Sequence, residues 1–428
     1  MFEGRGGMPV RRAPAYIGAA IVAGLTLCLV LYPDASLEAA KSGLNLFLTV
    51  VFPSLLPFFI LSEIMLGMGV VHFIGVLFEP LMRPLFNVPG EGAFAMSMGL
   101  AAGYPMDAVI TARFRNMNLC NRVEGERLLA FTNTADPLFI FGAVAVGMFA
   151  MPALGGVLAL AHYLSAISVG LVFRFYGRRA SPSSREGRRS GHVLGRAARA
   201  LVKAKEEDGR PIGRLAGDAV NDSVKTLLMI CGFIMLFSAF VAIAEKVGLA
   251  QVLGWPFVVL FEGLGLSPDL VRSAVAGIFE IDIGTVAASQ AAAPFVQRAL
   301  IAGVIIAWSG LSVHSQVAAV ITGTDIRMGP YVLARLMHAV FAGLFTFWLV
   351  PLLLGPNPTA GLGPVVPALT GAGMFAWALG RSTFLALAVP AGVALAGAVA
   401  GLFGGPVIRI GGRRRRASAR RKSGRPAR

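Results

Sequence analysis

Apolar stretches recur along most of the chain, and two of them, one in each half, are interrupted midway by polar residues. The first spans 127–150 and carries Phe131-Thr-Asn-Thr-Ala-Asp-Pro137 before an unbroken apolar run resumes at Leu138. The second spans 296–321 and holds Trp308-Ser-Gly-Leu-Ser-Val-His314 and Gln316 among apolar neighbours. A helix broken at such a place leaves N–H and C=O groups without partners, and lipid cannot supply them. The break must therefore be buried in protein or face a polar cavity. Paired interruptions in matching places of two halves point to a transporter-type binding site. Kinks that serve packing alone are the plain alternative.

Taken in order, the pattern predicts a span over 13–32, closed by Pro33-Asp34, then a mildly amphipathic lead-in and a span over 46–68. A shorter apolar stretch, 70–86, precedes two short arms, 94–102 and 106–117, that flank Gly103-Tyr104-Pro105 and end at Arg113 and Arg115. That reads as a re-entrant hairpin. The first broken segment and a span over 154–175 complete the unit. The second half repeats the plan: a lead-in, a span over 226–244, a short stretch at 252–264, and arms 270–279 and 285–293 around Glu280-Ile-Asp-Ile-Gly284. The second broken segment and a closing span, 330–354, follow. The order of elements, more than residue identity, argues for duplication.

Composition agrees. The 428 residues are 56% hydrophobic and 14% charged, where soluble domains average about 25% charged. This is a polytopic membrane protein. The net charge of +16 is carried largely by clusters at the N-terminus, in 178–214 and in the tail from Arg409. Basic clusters flanking apolar spans mark cytoplasmic segments. The first unit then runs from outside to inside and the second from inside to outside. The expected fold is all-α, with two inverted-topology repeats, each holding a re-entrant hairpin and a discontinuous transmembrane helix, plus extra N- and C-terminal helices. The expected division is a cytoplasmic N-terminus (1–12), a first transmembrane helix (13–32), repeat 1 (36–176), a basic cytoplasmic linker (177–214) and repeat 2 (215–354). An exterior loop (355–380), a last transmembrane helix (381–404) and a basic cytoplasmic tail (405–428) would follow. Eight crossings result, and whether 361–380 enters the membrane stays open.

Several classes are disfavoured. No aromatic interleaving or recognisable module accompanies the basic residues, so nucleic acid is not an expected partner. Cys28, Cys120 and Cys231 are far apart and lack metal-ligand spacing, so neither a metal nor a disulfide framework is expected. No phosphate-cradling loop, nucleophile elbow or HExxH pattern appears, so the reading is a non-enzyme without a cofactor.

Polar groups at membrane depth are costly and so are functional candidates. Tyr104 lies at one hairpin tip, Glu280 and Asp282 at the other. Asn133 and Thr134 stand at the first break, Ser309, Ser312, His314 and Gln316 at the second. Neutral donors and acceptors of this kind suit a small polar, uncharged or amphoteric solute. Glu280 has two open roles, binding a ligand or coupling proton, or capping a half-helix. Asp136 before Pro137 reads as a cap, and His314 as a hydrogen-bonded structural histidine.

Leu55-Leu-Pro-Phe-Phe59, the stretch 99–105, Glu124-Gly-Glu-Arg-Leu-Leu-Ala-Phe-Thr-Asn-Thr134, Pro137-Leu-Phe-Ile-Phe-Gly-Ala-Val144 and Trp308-Ser-Gly-Leu-Ser-Val-His-Ser-Gln-Val317 together resemble the sporulation integral membrane protein YlbJ family. The resemblance covers about 36–354 and implies the gate, or nucleoside-recognition, superfamily, which is similar to the spore maturation proteins, to the membrane gates of ferrous iron transporters and, more distantly, to concentrative nucleoside transporters. It implies an endospore-forming bacterium, a plasma-membrane location during sporulation, and a role in building the spore envelope; the basic clusters put both termini on the cytoplasmic side. The resemblance carries the family's polar break residues onto Asn133, Glu280, Ser309, Ser312, His314 and Gln316. Where the family often has Gly-Ala-Lys after each hairpin tip, this chain reads Asp107-Ala-Val109 and Gly284-Thr-Val286, which removes lysines that would hold an anion. The expected function is a non-ATPase permease or gated pore for a small polar solute used in spore-envelope formation. The alternative is a membrane scaffold without transport. Partners on this reading are the bilayer, the solute, and a second copy or other sporulation membrane proteins.

Overall fold

The computed structural model describes residues 12–178, 180–181, 183 and 192–355. The expected exterior loop beyond Gly355, the last transmembrane helix and the basic tail lie outside the described residues, as do residues 1–11 and most of the linker between 179 and 191. Among the described residues the regular structure is all helical. In chain order the helices are α1 (Arg12–Leu31), α2 (Pro33–Leu46), α3 (Phe52–Gly67), α4 (Val70–Phe86), α5 (Gly92–Ala102), α6 (Met106–Asn116), α7 (Arg122–Thr132) and α8 (Pro152–Phe173). They continue with α9 (Val193–Asp208), α10 (Ile212–Lys246), α11 (Leu249–Leu264), α12 (Val271–Phe279), α13 (Ile281–Gln290), α14 (Phe295–Trp308), α15 (Gly310–Ile321) and α16 (Met328–Leu354). A π-helical turn, Phe47–Val51, joins α2 to α3, and a π-helical segment, Leu138–Met148, lies between α7 and α8.

Among the described residues, four helical stretches are long and apolar enough to cross a membrane: Pro152–Phe173, Ile212–Lys246, Phe295–Ile321 and Met328–Leu354. The number rises to six if two bent pairs, Val22–Leu31 with Pro33–Thr49 and Leu55–Gly67 with Val70–Phe86, each make one span. Large apolar side chains stand on the outer surface of these helices and of α11, with Trp255, Trp348 and Leu352 among the most exposed. Water would not tolerate so much contiguous apolar surface, whereas a bilayer would.

The sequence pattern explains the short elements. The arms α5 and α6 have 11 residues each, and α12 and α13 have 9 and 10. At a rise of about 1.5 Å per residue they reach roughly 14–16 Å, about half of a hydrocarbon core of about 30 Å. Gly103 to Pro105 turns the first pair, Glu280 the second. The stretch expected as a lead-in plus span, 217–244, forms one continuous 35-residue helix, α10.

Packing follows a regular scheme. Helices α2 and α3 lie against α10, and α8 lies against α16. Across the molecule α6 meets α15 and the π-helical segment meets α13, while α7 contacts α16 and α14 contacts α8. One apolar core is built from the early helices with Leu227, Ile230 and Ile234 of α10. Another joins Ile140 and Leu158 to Ile305 and Ile306, so the two halves share an interior.

At the end of the molecule where α6 and α15 finish, charged residues form a polar layer. Arg327 donates to Glu126 at 2.7 Å, and Tyr176 donates to the same carboxylate at 2.8 Å. Arg115 pairs with Asp325 at 2.7 Å, and this hydrogen bond holds the Asp325 carboxyl below its usual range. Arg113 bridges Glu63 and Asp222, and Arg83 pairs with Glu79 and Glu124. The turn after α15 is thereby tied to α6 and α7. Helix α7 itself starts from a reciprocal cap: Asn121 accepts from the Glu124 N–H while Glu124 accepts from the Asn121 N–H, both at 2.9 Å. Asn121→Ala is expected to cost about 0.5–2 kcal/mol, read as a lowered unfolding temperature in detergent.

Candidate functional site

Helix α7 stops at Thr132, and the backbone turns extended at Asn133. It stays unwound until Asp136 accepts from the Phe139 N–H at 2.9 Å, so that aspartate is the cap its position suggests. The backbone groups freed by the break find side chains from two other helices. From α16, Arg335 donates to the Ala130 carbonyl at 2.7 Å and to the Asn133 carbonyl at 2.6 Å. From α8, His162 Nε2 accepts from the Ala135 N–H at 3.0 Å, and Tyr163 donates to the Ala135 carbonyl at 3.1 Å. These contacts satisfy polar backbone groups that burial would otherwise strand.

The Asn133 side chain is held from both ends. Its amide donates to Asp107 at 2.8 Å, and its carbonyl accepts from the Tyr331 hydroxyl at 2.9 Å. Thr132 donates to the other Asp107 oxygen at 3.2 Å, and Thr134 donates to the Thr132 carbonyl at 3.4 Å. Tyr331, Arg335 and His338 occur at steps of four and three residues, so α16 presents them on one face.

The second break is a single residue. Ser309, with φ of 68°, ends α14, and its hydroxyl turns back to the Trp308 carbonyl at 2.6 Å. His314 Nδ1–H donates to the Gly310 carbonyl at 2.7 Å, and its ring lies 4.3 Å from that of Trp308 and 5.1 Å from that of Tyr331. Gln316 donates to Ser312 at 3.4 Å, and Trp308 donates to the Ile278 carbonyl at 3.1 Å.

Each hairpin tip is seated on a break. Gly103, with φ of +70°, lies so close to Asp136 that an added Cβ would stand 2.8 Å from its carboxylate. Gly310, also at φ of +70°, lies against the tip of the other hairpin, where a Cβ would stand 2.9 Å from the Phe279 carbonyl. Tyr104 donates to the Ile306 carbonyl at 2.8 Å, linking the first tip to the second broken helix. Glu280 caps α13 by accepting from the Ile281 N–H at 3.1 Å, and its carboxylate also faces the Ser312 hydroxyl. Asp282, in the first turn of α13, interacts electrostatically with both Glu280 and Asp136.

Tyr104, Asn133 and His314 gather around Tyr331 and Arg335, and Glu280 and Asp282 sit at the second tip, with Glu280 against the Ser309–Gly310 break. Asn133 and Ser309 are fully buried, and Thr134, Glu280, Ser312, His314 and Gln316 are each at most 5% exposed, while Tyr104 and Asp282 are partly exposed. Among the described residues no three His, Cys, Asp or Glu side chains come together as metal ligands. Sequence reasoning passed over Asp107, Tyr331, Arg335, His162 and His338. An arginine eight residues into an apolar run was the available signal, because a buried charge there demands partners.

The Gate family model, described as nucleoside recognition, matches residues 48–176. The sporulation integral membrane protein YlbJ of Bacillus subtilis (strain 168) is 46% identical over 329 residues, which cover 76% of this chain and 80% of that protein. Two solved chains of CNTnw variants, both in an outward-facing state, align over 78% of this chain and 85% and 84% of theirs. Their TM-scores are 0.33 and 0.34 at 16% identity.

Proposed function

This chain belongs to the sporulation integral membrane protein YlbJ family, and from that premise we propose that it is a non-ATPase permease or gated pore for a small polar solute used in spore-envelope formation. The observation that carries the reading is the seating of two hairpin tips on two helix breaks, Gly103 on Asp136 and Gly310 on Phe279 and Glu280. Unwound backbone at membrane depth is costly, and the assembly of four such stretches with Asn133, Tyr104, Glu280 and Ser309 supports a reading in which these groups line the path of a solute. Thr134, Asp282, Ser312, His314 and Gln316 complete the proposed binding set. Solute passage then requires the tips to lift from the breaks.

Inverted repeats are part of the proposal. The packing of α2 and α3 on α10 and of α8 on α16, with the exchanged contacts of α6 with α15 and α13 with the π-helical segment, supports them. The basic clusters support a plasma-membrane orientation with the linker and both termini cytoplasmic.

The test is flux. Purified protein in liposomes would be challenged with labelled sugars, nucleosides, amino acids and polyols, and Glu280→Gln and Asn133→Ala would be assayed beside it and in a sporulating host. Uptake of at least one class, reduced about tenfold or more by either substitution (a loss of about 1.4 kcal/mol or more), is expected. Spore resistance should fall while protein level holds. No flux together with normal sporulation in both variants leaves the scaffold as the function.

A further inference from the structure

His162 and His338 occupy the same place in the two helices that close each half. Each is the eleventh residue of its helix, counted from Pro152 in α8 and from Met328 in α16. Those helices pack directly on one another, and the two rings lie 4.5 Å apart. His162 is 2% exposed and His338 not at all.

Hydrogen bonding assigns the tautomers. His162 Nε2 accepts from a backbone N–H, so it carries no proton, and the proton of the neutral ring is on Nδ1. His338 Nε2 lies 3.0 Å from the His162 carbonyl, an acceptor, so Nε2 is protonated. A buried cation without a counter-ion is costly, which leaves His338 Nδ1 as a bare acceptor. Neither Nδ1 has a partner. One ring thus offers an unanswered donor and its neighbour an unanswered acceptor, deep in the protein.

We propose that His162 and His338 bind one hydroxyl group between them, its oxygen accepting from His162 Nδ1–H and its proton donated to His338 Nδ1. The hydroxyl is that of a water molecule or of an alcohol-bearing solute. A hydroxyl is the smallest group that both accepts and donates, and a buried water ordinarily makes two to four such bonds. Arg335, one turn before His338, has a third buried nitrogen without a partner, Nε, and acts electrostatically on both rings. Because His162 also holds the Ala135 N–H, the hydroxyl ties the contact between the closing helices to the first break. The site stands whether or not the chain moves a solute.

Solid-state NMR of the full chain in liposomes, with 15N-labelled histidine, tests this. Proton contacts from water to His162 Nδ1–H in buffer assign a water. Contacts that appear only with glycerol, and come from its hydroxyl, assign a solute hydroxyl. Both outcomes require a hydrogen-bonded, unprotonated His338 Nδ1. His338→Gln keeps a donor for the His162 carbonyl and deletes the acceptor, so the contact at His162 should be lost. His338→Asn, which places its amide near the Nδ1 position, should restore it. If His162 Nδ1–H shows no hydroxyl contact in either buffer or glycerol, or if both nitrogens of His338 are protonated, the proposal fails. The wild-type spectrum decides this even if the variants do not fold.

Discussion

Arg335→Met is expected to be the most damaging single substitution in the polar core, at about 3–5 kcal/mol of unfolding free energy. The guanidinium is fully buried and is bonded to the Ala130 and Asn133 carbonyls, which methionine cannot reach as a donor. It also supplies positive charge beside Asp107. Since a folded domain is stable by only about 5–15 kcal/mol, much of the chain should be lost to degradation. Arg335→Lys should fall between, because an ammonium lacks the planar fork that serves two carbonyls at once. Adding Asp107→Asn to Arg335→Met should return part of the loss by removing the stranded carboxylate. Thermal unfolding in detergent and the monodisperse fraction on size exclusion measure both. A fully stable Arg335→Met chain would mean that the first break is held together by other contacts.

Gly103→Ala and Gly310→Ala should come next, and they act on the two places where tip meets break. Gly103 has φ of 70° and ψ of −160°, a region essentially reserved for glycine. Backbone strain costs about 1–3 kcal/mol at such a position, and overpacking against Asp136 adds about 1–3 more. At Gly310 the methyl meets the Phe279 backbone, which cannot rotate away. Gly232→Ala is the control: it lies inside α10 with open space around it, so the change should be neutral or stabilise by up to about 1 kcal/mol. Loss of flux in both tip variants, beyond what their lowered unfolding temperatures explain, would tie the contacts to gating.

Much of this architecture can be read from residue order because its cause is local. Apolar runs make helices, Gly103-Tyr104-Pro105 turns a hairpin, and Thr132 to Asp136 and Ser309-Gly310 end helices within a few residues of where their polarity suggests. Asp136 caps because it precedes Pro137. What could not be read has a long-range cause. Arg335 reaches its two carbonyls across 202 and 205 residues, and Tyr331 reaches Asn133 across 198. Asp107 is conspicuous in the sequence only as a departure from a Gly-Ala-Lys pattern, yet it holds the Asn133 amide. The π-helical winding of Leu138–Met148 is equally hidden, since a uniform apolar run has no periodicity to betray its pitch.

The turn after α15 is fastened to the first half partly through Arg327, whose partner Glu126 is fully buried, and partly through Arg115 and Asp325, side chains that are 25% and 49% exposed. Attractions between groups so open to solvent are screened over about 8 Å at physiological ionic strength. Dissolved ions therefore weaken the Arg115–Asp325 pair, while the bonds to the buried Glu126 and those around Asn133 are screened much less. Electrolyte concentration becomes a dial on how readily that end of the molecule loosens, set independently of the forces that keep the chain folded.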